Sequence, residues 1–137
     1  MDIPSGSIRV VSKRHGGRRP EPGETVVDGD RAHPVLGNRH HLSDWTDRVA
    51  RAAVIERHRV EDFEPDVLAG GPIFQVMQAL AARVRAGEEV ALRCWCAPLP
   101  CHLDHVAEGV WKLACGVDLQ AELKAKNFSN VPQNDCE

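Results

Sequence analysis

The sequence predicts a small α/β domain whose mainly parallel sheet is flanked by helices, and three observations carry that prediction. Runs rich in β-branched residues near positions 8 and 90 read as strands. Apolar residues recur every three or four positions in the segments between and after them, which is the helical period. Strands that alternate with helices build parallel sheets. With 137 residues, 42% of them hydrophobic and 27% charged, the chain supplies one domain that can bury a core without staples. The expected domain covers 1–126, with 127–137 as a loose tail.

Taken in order, "SIRVVSKR" (Ser7 to Arg14) is a strand centred on Ile8, Val10 and Val11. The Gly- and Pro-rich "HGGRRPEPGE" after it is a loop. "TVVDGD" forms a short strand closed by an Asp-Gly turn, and "HPVLGNRHH" (His33 to His41) is a loop. Ser43 is placed to N-cap a helix with Trp45, Val49, Ala52 and Ala53 on its apolar face. That helix should fade near Glu61 to Asp66, where Pro65 disfavours a helical Glu64. Gly71 and Pro72 open the clearest helix, with Ile73, Val76, Met77, Leu80, Ala81 and Val84 inward and Gly87 as its stop. "EEVALRCWC" (Glu88 to Cys96) is a strand with Val90, Leu92, Cys94 and Cys96 on one face. A helix starts near Pro100 or Cys101, buries Leu103, Val106, Ala107, Val110, Leu113 and Ala114, and ends at Gly116. "DLQAELKAK" makes a short last helix.

Composition removes several function classes. Aromatics are 4% with no Tyr, and the formal net charge is -3, so a base-stacking surface and a general nucleic-acid binder are both poorly supported. No stretch approaches the roughly 18 apolar residues of a membrane span, and the N-terminus does not read as a secretory signal. Five cysteines, three of them within eight residues, do not form a disulfide framework. They imply a reducing, cytoplasmic setting. Arg9, Lys13, Arg14, Arg18 and Arg19 could draw a phosphate to the sheet edge, or form a solvated loop.

The chemistry concentrates in "ALRCWCAPLPCHLDHV" (Ala91 to Val106). Cys94, Cys96, Cys101 and His102 are the ligand types of a tetrahedral zinc site. Against zinc, residues two apart on an extended strand have α-carbons roughly 6.5–7 Å apart, so the chain must bend to bring both sulfurs to one ion. His33, His40 or His41 could complete such a site from the other loop. A reactive thiol is the second reading, since Cys101 sits near a helix N-terminus that favours thiolate. The bland alternative is that Cys94 and Cys96 are small core residues. A phosphate cradle fits poorly, because Pro98 and Pro100 remove two backbone donors. Phosphatase chemistry lacks its Arg: six residues after Cys96 stands His102 and six after Cys94 stands Pro100. His102 and His105, three apart, could bind a ligand together or be partly solvated. Asp104 reads as a dipole partner of the helix. The acids of "VDGD" are too few for calcium.

"LRCWCAPLPCHLDHVAE", "HPVLGNRHH" and the "VVSKR" strand end together resemble an uncharacterised phage and bacterial family called domain of unknown function 4326. The likeness spans about 7–14, 33–58 and 72–115. Arg39 and His40 depart from it, where the family carries Pro and an aromatic after Gly-Asn, and so does Leu103, where a small residue is usual. The Cys-His-helix ending is also similar to domain of unknown function 488. The resemblance implies a site at Asn38, Cys94, Cys96, Cys101 and His102. The expected site gathers both loops at the carboxyl edge of the sheet, where open parallel sheets bind ligands. Its expected occupant is a small molecule, nucleotide- or nucleoside-like. Cys96 or Cys101 would be the nucleophilic or polar group, His102 the proton carrier and Asn38 an orienter, with Gly37, His33 and Arg14 lining the ligand. The rivals are a zinc-stabilised module without catalysis, and an accessory protein that docks on a host protein through Trp45 or Trp111.

Overall fold

The computed structural model describes residues 3–128 apart from 15, 31, 32, 41, 45 and 98. Trp45, His41, Pro98 and His15, each singled out or quoted above, and residues 129–137 of the expected tail lie outside the described residues. Strands β1 (Ser7–Ser12), β2 (Thr25–Asp28) and β3 (Glu89–Cys94) form a three-stranded sheet in the order β1-β3-β2. Both pairings are parallel, with Val10 opposite Leu92 and Val27 opposite Leu92 from the other side. Helices α1 (Arg48–Arg57) and α2 (Glu64–Ala69) are joined by a π-helical turn over His58–Phe63. Helix α3 (Pro72–Arg85) returns to β3, and α4 (Leu103–Ala114) and α5 (Leu119–Phe128) complete the chain. This is the α/β class expected.

Central β3 explains the near-continuous burial of its sequence. Val90, Ala91 and Leu92 are fully buried, as a strand paired on both sides requires. Val90, Leu92 and Cys94 join Val10 in one cluster with Met77, Leu80, Val84, Val106 and Val110. Helices α3 and α4 pack on each other and on β1 and β3 to close that layer. Each fully buried aliphatic side chain contributes about 1.5–3 kcal/mol of transfer free energy. Gly87, at φ 101°, ends α3 in the left-handed region that glycine tolerates best.

Three local expectations are corrected. Asp47, not Ser43, caps α1: its carboxylate accepts the Ala50 N–H at 2.9 Å. The inward face of α1 is Arg51, Val54, Ile55 and then His58, while Val49 is 82% exposed and Ala52 and Ala53 face solvent. Pro65 does not end the helix. Glu64 stays helical at φ -64° and ψ -44°, and Pro65 opens a fresh α-helical segment after the π turn, a position where a missing N–H is tolerated.

Candidate functional site: a three-cysteine cluster at the carboxyl edge of the sheet

Strand β3 stops at Cys94, and the chain bends at Trp95. Leu99 then donates its N–H to the Cys96 carbonyl at 2.8 Å, closing a turn. Cys96 is therefore folded back rather than carried along the strand face with Cys94, which corrects the strand end expected at Cys96. The bend supplies what a straight strand could not. The sulfurs of Cys94, Cys96 and Cys101 lie within 4.8 Å of one another. Cys94 Sγ and Cys101 Sγ are 3.1 Å apart. Backbone N–H groups aim at two of the sulfurs, Cys96 at Cys94 Sγ (3.3 Å) and Leu103 at Cys101 Sγ (3.5 Å).

The three thiols are shifted in different directions. Cys96 is held down, because Cys101 and Cys94 donate to it and the Arg51 guanidinium lies beside it, against the opposing effect of burial. Cys101 is pushed up by its contacts with Cys94 and Cys96 and by burial. At Cys94 the Cys101 contact lowers the value, but the Cys96 contact and burial outweigh it and the result is upward. The helix-dipole expectation for Cys101 is thus reversed: it stands ahead of the first turn of α4, its N–H bonded to Asp104 Oδ2 at 2.9 Å, and the residue is 2% exposed with its sulfur among other thiols.

His102 joins the two motif segments. Its Nε2 lies 2.8 Å from the Leu36 carbonyl and 3.1 Å from the Gly29 carbonyl. Two acceptors on one nitrogen require Nε2 to carry the proton. Nδ1 is then the lone-pair nitrogen, 3.6 Å from Cys101 Sγ. Burial pulls the imidazole below its ordinary range, although both carbonyls oppose that. Gly29 permits the close approach, since a Cβ there would meet the Leu103 side chain at 2.7 Å. The Leu-Gly-Asn loop, the end of β2 and the Cys-His turn are tied at one point.

The sequence matches the family described as domain of unknown function (DUF4326) over residues 10–112. The chain belongs to that family. No curated protein and no solved structure matches it.

In this DUF4326 protein the three cysteines form one wall of a cleft of about 300 Å³. Asn38, His40, Arg51, Trp95 and His102 line it as well, with Leu42, Val54 and Ile55 supplying apolar surface. The structure thus brings together Asn38, Cys94, Cys96, Cys101 and His102. Asn38 is 9% exposed, accepts the His40 N–H (2.9 Å) and donates to the Val54 carbonyl (3.4 Å), fastening its loop to α1. His33 and Gly37 border a separate hollow with Arg39. The His33 Nδ1 accepts the N–H groups of Val35 and Leu36. Arg14 follows β1, its N–H bonded to Ser12 Oγ.

Two members of the basic cluster are engaged in ion pairs: Arg9 pairs with Glu24 at 2.7 Å and Lys13 with Asp30 at 2.7 Å. Asp28 at the end of β2 pairs with Arg93, so both it and Asp30 serve ion pairs. Two features escaped the sequence reading. Arg51 is 6% exposed and reaches the Pro100 carbonyl at 3.4 Å. Its signal was the spacing 51, 54, 55, 58, a stripe as regular as the one at 45, 49, 52, 53. The other is a histidine pair, buried His58 Nδ1 and half-buried His105 Nε2 at 2.8 Å. Burial lowers His58 to about 4 and His105 to about 3, so both are neutral at pH 7.

Proposed function

We propose that Cys94, Cys96 and Cys101 hold one thiophilic divalent ion, zinc foremost, and that the ion's remaining position opens on the cleft as part of a small-ligand site. The observation that carries this reading is the convergence of three sulfurs within 4.8 Å on a cleft wall. A tetrahedral zinc at about 2.3 Å from each sulfur needs sulfurs about 3.8 Å apart, so the Cys94–Cys101 pair has only to part slightly. Three protein ligands with an open fourth position is the arrangement zinc uses when it meets a substrate, whereas closed four-ligand sites are structural. The N–H groups directed at Cys94 and Cys101 Sγ support ligated sulfur, and Arg51 offsets the surplus negative charge of three thiolates around a dication.

The occupant of the cleft is a small planar molecule, a nucleoside or nucleotide derivative being the first class to screen. Leu42, Val54, Ile55 and the Trp95 ring offer an apolar wall, and Asp30, Asn38 and His40 provide polar groups around it. This mix and a volume of about 300 Å³ sit at the small end of ligand pockets. His102 acts as a positioning residue in this reading, since its Nε2 is committed to two carbonyls.

A second reading, a metal-stabilised module without catalysis, is favoured by one specific observation: the Cys94 and Cys101 residues are each 2% exposed and join the end of β3 to the start of α4. Cobalt substitution tests both. Metal-free protein titrated with cobalt(II) should develop thiolate-to-metal charge-transfer absorption that saturates at one ion per chain. Shifts of the visible cobalt bands on adding nucleosides would support the open-site reading, and bands indifferent to every added ligand would favour the closed module. No charge-transfer absorption at all would remove both.

A further inference from the structure

Cys94 and Cys101 are in sulfur contact at 3.1 Å, and both are buried. A disulfide needs about 2.0 Å. In front of that pair stands Cys96, half-buried and facing the cleft, its sulfur within 4.8 Å of the other two. An accessible thiol before a touching, buried pair is a layout for oxidation that enters at one sulfur and comes to rest on two others. Cys115 cannot serve as partner, because the 12 residues of α4 place it roughly 18 Å away along the helix.

We propose that this cluster is a reversible oxidation site, in which a peroxide reacts at Cys96 and the disulfide settles between Cys94 and Cys101. The inference rests on the metal reading only in that ion and disulfide compete for the same sulfurs. The Cys96 thiolate attacks a peroxide oxygen: an S–O bond forms, the O–O bond breaks and hydroxide leaves, giving a sulfenic acid. Cys101 Sγ attacks Cys96 Sγ, forming an S–S bond and breaking the S–O bond. The departing hydroxide takes the Cys101 proton as water. Cys94 Sγ then attacks Cys101 Sγ, the new S–S bond forms, and Cys96 leaves as thiolate while the Cys94 proton neutralises the first hydroxide. Two thiols lose two electrons and two protons, and hydrogen peroxide becomes two waters. Cys96 and Arg51 line the same cleft, so the sulfur that meets the oxidant is the one that later leaves beside a guanidinium. A small thiol reduces the site by the reverse route, since the buried disulfide must first be returned to Cys96. Oxidation withdraws two of three ligands, so a bound ion departs.

The test uses the full-length reduced protein, divided into portions with and without a strong chelator, and one equivalent of hydrogen peroxide. Free thiols are alkylated, the chain is cleaved after Trp95, and fragmentation mass spectrometry locates the cross-link. In the chelated portion the expected product is Cys94 joined to Cys101 with Cys96 alkylated, reversed by dithiothreitol. Cys96→Ser should slow its formation by about tenfold or more while leaving the same product. Cys94→Ser should trap a Cys96–Cys101 bond, with circular dichroism confirming that each variant is folded. A metal-loaded portion should oxidise more slowly and release its ion in step with the cross-link. Cys96 advancing to sulfinic acid while Cys94 and Cys101 stay reduced would overturn the proposal, and so would a disulfide that rests on Cys96 in the wild type. If neither portion contains metal yet the Cys94–Cys101 bond forms, the metal reading fails and this one stands.

Discussion

His102 holds its place through two backbone carbonyls from segments far away in the chain, Gly29 and Leu36. Removing the ring strands both acceptors in a buried setting, and each unsatisfied group costs about 1–3 kcal/mol. His102→Ala should therefore lower stability by about 2–4 kcal/mol in urea denaturation. His102→Asn, whose amide nitrogen can still donate to these carbonyls, should recover part of that loss and retain the metal stoichiometry of the wild type. A variant that folds yet binds no metal would make His102 a ligand instead. The residue types at this site were legible in the sequence, but their roles were not. The sequence shows an imidazole beside a thiol; it does not show which carbonyls the ring will meet, because those arrive from β2 and from the Leu-Gly-Asn loop through tertiary packing.

Helix α1 illustrates the ambiguity of the helical period. In the sequence two sets of positions at helical spacing compete for its inward face, 45-49-52-53 and 51-54-55-58, and the second contains Arg51 and His58 in place of apolar side chains. The polar members are buried because they serve the cleft and the histidine pair, so binary patterning selected the wrong face. Val49→Asp should shift stability by less than about 0.5 kcal/mol, whereas Ile55→Asp should cost more than about 2 kcal/mol. Thermal melts of the two variants compare them directly, and equal losses would mean that α1 is rotated. The π turn after it was equally hidden. One wide turn at His58–Phe63 places Asp62 against His40 at 2.9 Å and lets the chain absorb Pro65, and π turns recur near functional sites. By contrast both ends of α3 and the end of α4 were read closely, since Pro72, Gly87 and Gly116 mark ends that follow from local backbone chemistry, while α4 starts at Leu103 rather than at Pro100 or Cys101.

At the scale of the molecule, the parallel sheet and the meeting of both motif loops at its carboxyl edge followed from the strand–helix alternation, whereas the central place of β3 and its two-sided burial appear only in the structure. The cysteine cluster did not, because it depends on where β3 stops. The same core carries a pH dependence. His58 and His105 titrate near 4 and 3 when folded, below the ordinary value of 6.5, chiefly through burial. The unfolded chain takes up their protons first as pH falls. Stability is thus fully present above pH 6.5 and is lost as pH drops towards 4. His58 alone accounts for about 2–3 kcal/mol between pH 7 and 4.5. Melting temperatures across that window should fall, and His58→Phe should flatten the slope; an unchanged slope would assign it to other groups. The central claim, that three cysteines converge to hold one ion, is tested most directly by metal content. Protein purified without chelator would be measured by plasma mass spectrometry beside a variant with Cys94, Cys96 and Cys101 all changed to Ser. Close to one thiophilic ion, zinc foremost, is expected per wild-type chain and none in the variant. A folded wild type without metal that also takes up none on incubation with zinc, or equal metal in both proteins, would contradict it.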